Sequence, residues 1–393
     1  MLQYQYLIVG GGMSADAAVT TLVAGDPQGK VGIISAEHDP PYDRPPLSKG
    51  LWKDMDLGSV WRETSRSGAT LHLGRRVERL DVEEKTVVDD EGQAYGFEKL
   101  LLVTGGRPRR LPFDDGNDII YYRTLADYRQ LAEVAEEKQR FAVIGGGFIG
   151  SELAAALAMN GKEVVMLFPE HGISALRFPG DLAEFLNSYY GEKGVTVHGN
   201  TRVVGIAKEG DGHVLRSVDG REFSADAVVA GIGIEANTEL AESAGIETDN
   251  GIVVDRALRT SEPDIFAAGD VAAFYDPVLR ERRRVEHEDN ALNMGKAAGQ
   301  AMAGEPLIYD HSPYFYSDLF DLGYEAVGEL DSQLETVSDW QDEFHKGIVY
   351  YLKDKRVRGV LLWNVWGQVE AALELIAQGN AFEPEELQGR LPR

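Results

Sequence analysis

The sequence of 393 residues contains no cysteine. Without cysteine the chain has no disulfide, no thiolate nucleophile, no thiolate ligand for an iron–sulfur cluster and no dithiol that could carry electrons. Any electron chemistry therefore has to come from a bound cofactor. We expect no metal site.

Positive charge is scarce, since 39 Lys and Arg residues stand against 65 Asp and Glu residues, a formal net charge of −26. A field of that sign repels nucleic acid and anionic lipid head groups. We therefore expect no nucleic-acid partner and no membrane surface recognised through bulk charge.

Long apolar runs are also lacking. A run such as residues 360–363 (VLLW) is far shorter than the ~20 residues that span a bilayer. The first residues, MLQYQYLIVGGG, carry no positive charge and lead directly into an apolar strand, so we expect no signal peptide. These features favour a cytoplasmic protein without a membrane span.

What the sequence does contain is one pattern that occurs twice. In each copy an apolar strand leads into a glycine-rich turn, a helix-forming run and a second apolar strand. The first copy has its strand, turn, helix and second strand at residues 6–9, 10–15, 16–24 and 31–34, and the second copy at residues 141–144, 145–150, 151–159 and 164–168. This pattern is typical of the start of a dinucleotide-binding βαβ unit. The length fits two or three domains at roughly 150 residues each.

The first turn reads G-x-G-x-x-A, with Gly10, Gly12 and Ala15. Glycines let the backbone approach a pyrophosphate, whose charge is stabilised by the positive N-terminus of the following helix. Glu37 follows the second strand, where an acidic side chain accepts hydrogen bonds from a ribose. The alternative is a turn that only packs a helix on a sheet, which the strand, helix and acid together disfavour.

The second turn is a complete G-x-G-x-x-G, with Gly145, Gly147 and Gly150, and Glu170 lies 20 residues beyond it. A glutamate at this place accepts the free 2′-OH of NAD and repels the 2′-phosphate of NADP. Residues 168–174 contain no arginine, so the sequence favours NADH. The alternative is that Glu170 is only a solvated loop residue.

Further patterns complete the prediction of structure. Residues 40–49 contain four prolines and end in Lys49, which predicts a stiff, extended segment without helix until Leu47. Apolar strands at residues 100–103, 227–230 and 265–268 each end at glycine, and a helix is predicted at about 289–302. Beyond residue 311 we predict a β-hairpin of residues 347–352 and 357–363, followed by a helix at about 367–377.

With these motifs, the chain resembles the flavoprotein reductases of the glutathione-reductase superfamily. Among them it is similar to the branch of ferredoxin reductases and apoptosis-inducing factor. The resemblance rests on these matching stretches: 41–49, 104–109, 145–152, 231–237, 265–270, 283–291, 315–319 and 323–325. It covers residues 4–331 strongly and the tail weakly, and the stretches 283–291 and 315–325 lean toward apoptosis-inducing factor.

The resemblance implies FAD and NAD(H) as cofactors and assigns roles to individual residues. Lys49 and Glu152 match a lysine–glutamate pair beside the flavin N5, Phe148 matches an aromatic that gates the nicotinamide, and His287 matches a histidine near the flavin ring. The full implied set of cofactor contacts is Gly10, Gly12, Ser14, Ala15, Glu37, Arg44, Lys49, Thr104, Gly105, Arg123, Gly145, Gly147, Phe148, Ile149, Gly150, Glu152, Glu170, Gly233, Gly269, Asp270, Glu286, His287 and Tyr316. For Phe148 the alternative is a core side chain, and for His287 an exposed or satisfied imidazole.

One departure from the family pattern concerns Tyr316. Relatives usually carry Phe-Trp-Ser-Asp where this chain has Phe-Tyr-Ser-Asp at residues 315–318. A tyrosine can still stack, but with less area and an added hydroxyl. The change puts in doubt how tightly the nicotinamide is held.

Three functions are compatible with the sequence. The first is an NADH-oxidising FAD enzyme that passes hydride to flavin N5 and electrons onward to a quinone, oxygen or another small acceptor. The second is a reductase of a small iron–sulfur protein such as a ferredoxin or rubredoxin, for which an acidic chain needs a local basic face; the candidate basic clusters are Arg107, Arg109 and Arg110, and Arg280, Arg282, Arg283 and Arg284. The third is an NADH-sensing interaction protein, with a homodimer as one outcome of the sensing.

The predicted fold is α/β, with two Rossmann-like nucleotide-binding domains and a C-terminal α+β domain. The FAD domain is expected at residues 1–117 and 245–310, the NAD(H) domain at 118–244 and the C-terminal domain at 311–393. Within this superfamily the disulfide reductases need a cysteine pair at the flavin. This chain has none, so electrons are expected to leave directly from the reduced flavin.

Overall fold

The computed structural model describes residues 1–114, 116 and 118–393. The strands are β1 Leu2–Val9, β2 Val31–Ser35, β3 Thr70–Leu73, β4 Val77–Asp81, β5 Thr86–Asp89, β6 Ala94–Leu102, β7 Gly106–Pro108, β8 Ile119–Tyr121, β9 Arg140–Ile144, β10 Glu163–Leu167, β11 Val195–His198, β12 Val203–Glu209, β13 Gly212–Ser217, β14 Glu222–Ala225, β15 Ala227–Ala230, β16 Ile234–Ala236, β17 Ile252–Val253, β18 Ile265–Ala267, β19 Ala272–Asp276, β20 Glu281–Arg284, β21 Tyr314–Leu319, β22 Leu322–Gly328, β23 Glu335–Asp342, β24 Lys346–Lys353 and β25 Arg356–Trp363. The helices are α1 Met13–Gly25, α2 Leu125–Glu137, α3 Phe148–Met159, α4 Gly180–Glu192, α5 Glu239–Ser243, α6 Glu288–Met302, α7 Val369–Gln378 and α8 Pro384–Leu387.

The chain divides into two compact units. One comprises Met1–Arg44, Asp56–Arg107 and Glu235–Tyr314, and the other Pro45–Met55, Pro108–Ile234 and Phe315–Arg393. The predicted boundaries of the three domains stay a prediction, and the boundary residue 117 lies outside the described residues.

The first unit is built on a sheet of order β3-β2-β1-β6-β5-β4, to which β18 adds beside β6. The strands β3, β2, β1, β6 and β18 pair in parallel, and β5 and β4 extend the sheet in antiparallel fashion. Central strands of such a sheet are covered on both faces and therefore read as continuous apolar runs. Leu7, Ile8 and Leu101 are accordingly fully buried, and the predicted strands at residues 6–9, 31–34, 100–103 and 265–268 are confirmed.

Two helices of this unit pack unusually closely, because glycine replaces larger side chains at their contact. A Cβ on Gly295 of α6 would lie 2.5 Å from the carbonyl oxygen of Ser14, and one on Gly299 would lie 2.3 Å from that of Ala18. Larger residues at these positions would push α6 away from α1. The close contact fixes the first turn of α1, which begins at the first glycine-rich turn.

The second unit contains a fully parallel sheet of order β11-β10-β9-β15-β8. The antiparallel sheet β12-β13-β14 belongs to the same unit and was not predicted. The strands predicted at residues 141–144, 164–168 and 227–230 are confirmed as β9, β10 and β15. A mainly parallel sheet in the first unit and a parallel sheet in the second, each with a glycine-rich turn between one strand and the helix that follows it, confirm the predicted pair of Rossmann-like units.

The C-terminal part of the second unit is an antiparallel sheet of order β21-β22-β25-β24-β23, with α7 packed against β22 and β25. The predicted hairpin is confirmed as β24 and β25, and the predicted helix as α7. The α+β character of this region is thus as expected.

The proline-rich segment differs from its prediction at one end. A 3₁₀ helix already begins at Pro45 and runs through Ser48. The fixed φ of proline suits the first turn of a helix, where a missing N–H costs nothing. Elsewhere, none of the described helices is long and apolar enough to cross a membrane.

Candidate functional site

The first glycine-rich turn has one glycine that the backbone requires and one that leaves space. Gly10 has φ +117°, and a Cβ there would lie 2.1 Å from the carbonyl oxygen of Val103. Gly12 precedes α1 with φ −88°, and a Cβ there would meet only the Arg44 Nη2, at 3.9 Å, among the described atoms. Ser14 and Ala15 are buried. The turn therefore leaves open the positive N-terminus of α1, where a pyrophosphate binds in this type of fold.

Glu37 lies just beyond β2 and forms an ion pair with Arg44. The Arg44 Nη2 is 2.5 Å from Glu37 Oε1, and the Tyr42 hydroxyl donates to Glu37 Oε2 over 2.5 Å. Burial alone would lower the pKa of Arg44, but the neighbouring Tyr42, Glu37 and Asp270 raise it overall. The carboxylate predicted to hold a ribose is thus already oriented by two donors. Tyr42 was not predicted to have this role, although it lies within the proline-rich segment.

Asp270 and its neighbours form a second group of the predicted residues in the first unit. Gly269, with φ +74°, lets the chain pass Ser14, since a Cβ there would lie 2.3 Å from the Ser14 Oγ. The Arg284 Nη1 donates to the carbonyl oxygen of Asp270 over 2.9 Å, and the Arg284 Nη2 lies 2.6 Å from Glu286 Oε1. Arg284, which the sequence suggested only as part of a basic cluster, thus links Asp270 to Glu286.

The remaining predicted residues of the first unit lie on loops and helix ends. His287 precedes α6 as its N-terminal capping residue, without a side-chain cap. The Thr104 hydroxyl donates to the carbonyl oxygen of Asn237 over 2.7 Å, and Gly105 has φ +61°. These contacts fix the chain where β6 ends.

In the second glycine-rich turn, as in the first, packing requires some glycines and another glycine leaves open space. Gly145 has φ +115°, and a Cβ there would lie 2.3 Å from the carbonyl oxygen of Gly231. A Cβ on Gly150 would lie 2.1 Å from the carbonyl oxygen of Gly145, so both glycines are required for packing. Gly147, with φ −84°, would bring a Cβ within 4 Å of no described atom. The open space again lies at a helix N-terminus, that of α3.

Other predicted residues of this unit lie around the turn or at the end of a neighbouring strand. Glu170 is half-buried beyond β10, and its backbone carbonyl accepts from the Asn200 N–H over 2.7 Å. Ile149 is exposed, and Gly233 has φ +89° next to Arg109. The Arg123 backbone N–H donates to Asp127 Oδ2 over 2.9 Å at the start of α2.

Lys49 and Glu152, predicted to pair, do so. The Lys49 Nζ lies 3.1 Å from Glu152 Oε1, and Glu152 is 6% exposed against 15% for Lys49. The ammonium also lies 4.4 Å from the centre of the Tyr316 ring, a favourable cation–π geometry. A carboxylate, an ammonium and a half-exposed aromatic ring are therefore held together.

Two serine hydroxyls complete the surroundings of Glu152. Ser48 donates to Glu152 Oε2 over 2.5 Å, and Ser317 donates to Glu152 Oε1 over 2.6 Å. Neither serine was identified from the sequence. Their positions beside Lys49 and Tyr316 are the one signal that could have drawn attention to them.

Phe148, the first residue of α3, lies between aromatic rings and a cation. Its ring centre is 5.3 Å from that of Phe315 and 6.5 Å from that of Tyr324, and the Arg177 guanidinium lies 4.5 Å from it. Arg177 was also missed by the sequence analysis. Phe148 is only partly buried. Its ring, at the end of the glycine-rich turn, packs against Phe315 and Tyr324 and also contacts the Arg177 guanidinium.

The chemistry of both turns fits dinucleotide cofactors. Each turn has a glycine whose missing Cβ leaves room for close backbone approach, at the N-terminus of a helix with positive dipole. Each also has a glutamate beyond the second strand, at the distance expected for a ribose. The Lys49 ammonium adds a fixed positive charge, which can stabilise negative charge that develops on a bound group.

Comparison with known proteins agrees with this geometry. The sequence profile of the family described as "Pyridine nucleotide-disulphide oxidoreductase" matches residues 4–295. The profile described as "Apoptosis-inducing factor, mitochondrion-associated, C-term" matches residues 298–342 and 338–378. Members of the first family bind FAD and NAD(P)H.

Relatives match along nearly the whole chain. "Apoptosis-inducing factor 1, mitochondrial" of Dictyostelium discoideum is 35% identical, over 97% of this chain and 80% of the relative. The "Anthranilate 1,2-dioxygenase system ferredoxin--NAD(+) reductase component" of Burkholderia cepacia is 33% identical, over 97% of this chain and 96% of the relative. The reductase in the crystal structure of the covalent putidaredoxin reductase–putidaredoxin complex superimposes with a TM-score of 0.90 at 28% identity, covering 98% of this chain and 95% of that one. The chain belongs to the pyridine nucleotide-disulphide oxidoreductase family.

Proposed function

We propose that the protein is an FAD-dependent NADH oxidoreductase, similar to apoptosis-inducing factor, that passes electrons to a quinone, oxygen or small redox acceptor without a cysteine relay. The observation that carries the proposal is the ion pair between Lys49, which follows the 3₁₀ helix of residues 45–48, and the buried Glu152 of α3, the helix that begins at the open glycine-rich turn. When bound, FAD supplies a centre that accepts hydride from a nicotinamide and releases electrons to an acceptor. The protein contributes binding, orientation and charge.

In the first unit, the open space beside Gly12 and the pair of Glu37 and Arg44 would hold the adenosine and pyrophosphate parts of FAD. Asp270, held through its carbonyl by Arg284, would accept hydrogen bonds from further FAD hydroxyls. These roles follow from the family resemblance, and the geometry of the turn supports them.

In the second unit, the space beside Gly147 would hold the pyrophosphate of the nicotinamide nucleotide. Glu170 would accept the 2′-OH of NADH and repel the extra phosphate of NADPH. Among the described residues, its carboxylate has neither an ion pair nor a hydrogen bond, which supports its availability for a ribose. Lys49 would supply positive charge where the reduced cofactor becomes anionic.

The absence of cysteine bears directly on the path of electrons. Because the chain has no thiol, transfer through an intramolecular disulfide is not available to it. We therefore propose direct transfer from the cofactor to the acceptor. Treatment with iodoacetamide should leave NADH oxidation unchanged.

A ferredoxin reductase is the second candidate, favoured by the B. cepacia relative and by the likeness to putidaredoxin reductase. These neighbours support a redox partner of some kind. Four of the seven arginines in the two basic clusters, however, are already used within the first unit: Arg107 pairs with Glu235 and Glu239, Arg283 with Asp276, and Arg284 with Glu286. The guanidinium of Arg282 donates to two backbone carbonyls. This use of the four cations makes an acidic protein acceptor the less favoured proposal.

We also propose a cytoplasmic location for the protein.

The resemblance to apoptosis-inducing factor supports a third candidate function, that of an NADH-sensing interaction protein that forms a homodimer. Light scattering of the purified protein with and without NADH tests the sensing function, since a mass that stays the same would exclude NADH-driven dimerisation.

The main experiment is an anaerobic titration of the purified protein with NADH and, separately, with NADPH. We expect a yellow protein whose flavin absorbance is bleached at lower concentrations of NADH than of NADPH, and Glu170→Ala should narrow that difference. A screen of quinones, oxygen and ferredoxins then identifies the acceptor. A colourless protein, or a flavin that NADH fails to bleach, would refute the proposal.

A further inference from the structure

The Glu152 carboxylate receives donors from three side chains of the second unit. Ser48 donates to Oε2 over 2.5 Å, Ser317 donates to Oε1 over 2.6 Å, and the Lys49 ammonium lies 3.1 Å from Oε1. Glu152 and Ser48 are each 6% exposed and Ser317 is 2% exposed. Burying a carboxylate costs less when hydrogen-bond donors replace the water that it loses.

The two hydroxyls reach the carboxylate from different segments of the chain. Ser48 ends the 3₁₀ helix of residues 45–48 and immediately precedes Lys49. Ser317 lies on β21, whose side chains alternate between faces, so that Ser317 is buried while its neighbour Tyr316 is exposed and faces the Lys49 ammonium. The first segment thus contributes Ser48 to Glu152 and carries Lys49 itself, and the strand contributes Ser317 to Glu152 and Tyr316 to Lys49.

The two oxygens of the Glu152 carboxylate therefore have different hydrogen-bond donors. With Ser48 on Oε2, the Lys49 ammonium is left to contact Oε1, where Ser317 also donates. An ammonium has three N–H donors. Within the described part of the chain, Lys49 uses them on one carboxylate oxygen and one ring face, which leaves donor capacity for a bound group.

We propose that Ser48 and Ser317 are positioning residues, whose hydroxyls hold the Glu152 carboxylate so that Lys49 keeps one carboxylate partner and directs its remaining charge outward. The inference rests on the proposed function, because it concerns how Lys49 is presented to the cofactor. It concerns residues of this chain that have no assigned role in the reaction.

The other titratable groups around Glu152 are tyrosines. Burial and the charge of Glu152 raise the pKa of Tyr190 and of Tyr324 well above its ordinary value, and burial likewise raises that of Tyr122. These phenols therefore stay neutral across the range in which enzymes are assayed. Lys49 is the cation in contact with the carboxylate, and Arg177 acts from further away on Tyr324.

The test compares Ser48→Ala, Ser317→Ala and the double variant with the parent protein. Each substitution removes a hydroxyl that holds the carboxylate in place. At pH 8 the flavin midpoint potential should therefore become more negative, because the carboxylate with fewer donors draws the ammonium toward itself. An unchanged potential would overturn the proposal.

A matched control is available in the first unit. Ser312 is also a buried serine whose hydroxyl donates to a buried carboxylate, Asp276 Oδ1, over 2.6 Å. Ser312→Ala should therefore cost similar stability while leaving the flavin midpoint potential of the parent unchanged. A shift in Ser312→Ala as large as in Ser317→Ala would show that the effect is general loss of stability, and would overturn the proposal.

A measurement without the cofactor separates this inference from the proposed function. Urea unfolding of Ser317→Ala, Glu152→Gln and the double variant forms a cycle, and the effects on the unfolding equilibrium constant should be coupled by at least about fivefold. The cycle with Ser312→Ala in place of Ser317→Ala should show no coupling. If NADH fails to bleach the protein but the coupling is present, the proposed function fails while the hydroxyl contacts stand; absent coupling refutes the inference by itself.

Discussion

Glu152 is more deeply buried than Lys49, so water could solvate the lysine better than the glutamate if the partner were removed. Glu152 is 6% exposed, whereas Lys49 is 15% exposed and lies on a loop over the Tyr316 ring. Removing one member of a buried pair leaves the other charge uncompensated, which is costly in proportion to its burial. Loss of the lysine should therefore harm the fold more than loss of the glutamate's charge.

We predict that Lys49→Met lowers the free energy of unfolding by about 3 kcal/mol and Glu152→Gln by about 1 kcal/mol. The double variant Lys49→Met/Glu152→Gln should recover most of the stability lost in Lys49→Met, because it no longer buries an unpaired charge. Urea unfolding at pH 7 measures all three. A double variant no more stable than Lys49→Met would contradict the argument.

Among the individual residues of the candidate site, the sequence predicts some and misses others. Lys49, Glu152 and Tyr316 were found through their motifs, but Ser48 and Ser317 were not, because they lie 104 and 165 residues from Glu152. A hydroxyl leaves no periodic or compositional signal, and its partner is decided by the fold. The sequence also did not show that Arg44 pairs with Glu37, because the fold decides which carboxylate a guanidinium reaches.

Each glycine-rich turn contains glycines with two different tasks, and substitution can separate them. Gly145 combines φ +115° with a blocked Cβ position, whereas Gly147 has φ −84° and open space. Alanine at Gly145 must clash with the Gly231 carbonyl, while alanine at Gly147 meets no described atom but fills the space at the N-terminus of α3.

We predict that Gly145→Ala destabilises the protein by more than about 2 kcal/mol, and that Gly147→Ala costs less than about 1 kcal/mol but weakens NADH binding at least about tenfold. Thermal unfolding gives the first quantity, and the NADH concentration for half-bleaching the second. Equal losses of stability in the two variants would show that Gly147 is also a packing residue.

Elements with a strong local signal were predicted, and those without one were missed. The parallel strands and glycine-rich turns have both apolar runs and glycine punctuation. The strands β21 and β22 have no such marker. The turn between them contains Phe320 at φ +61°. Bulky residues rarely adopt this conformation, so a phenylalanine does not indicate a turn. A hairpin without Asn-Gly or Asp-Gly carries no local signal, and its pairing is decided by the surrounding sheet.

The charge of the whole molecule acts on every ligand that approaches it. With 65 acidic against 39 basic residues, the protein carries −26, and NADH is itself an anion. At low ionic strength the two repel each other over roughly 30 Å, and at physiological ionic strength over roughly 8 Å. The local positive ends of α1 and α3 and the Lys49 ammonium act only at short range, after the ligand has arrived.

Raising the salt concentration from about 10 mM to about 150 mM should therefore lower the KM for NADH by about twofold to fivefold, with little change in kcat. Steady-state assays with a neutral benzoquinone as acceptor measure the effect, and the KM for that quinone serves as the control because an uncharged molecule is not repelled. The KM for an acidic ferredoxin, if it is the acceptor, should also fall with salt, since four of the seven arginines in the two basic clusters are already used in ion pairs and backbone contacts. A KM for NADH that rises with salt would mean that local positive charge governs its approach, and a ferredoxin rate that falls with salt would show a basic docking face elsewhere on the surface.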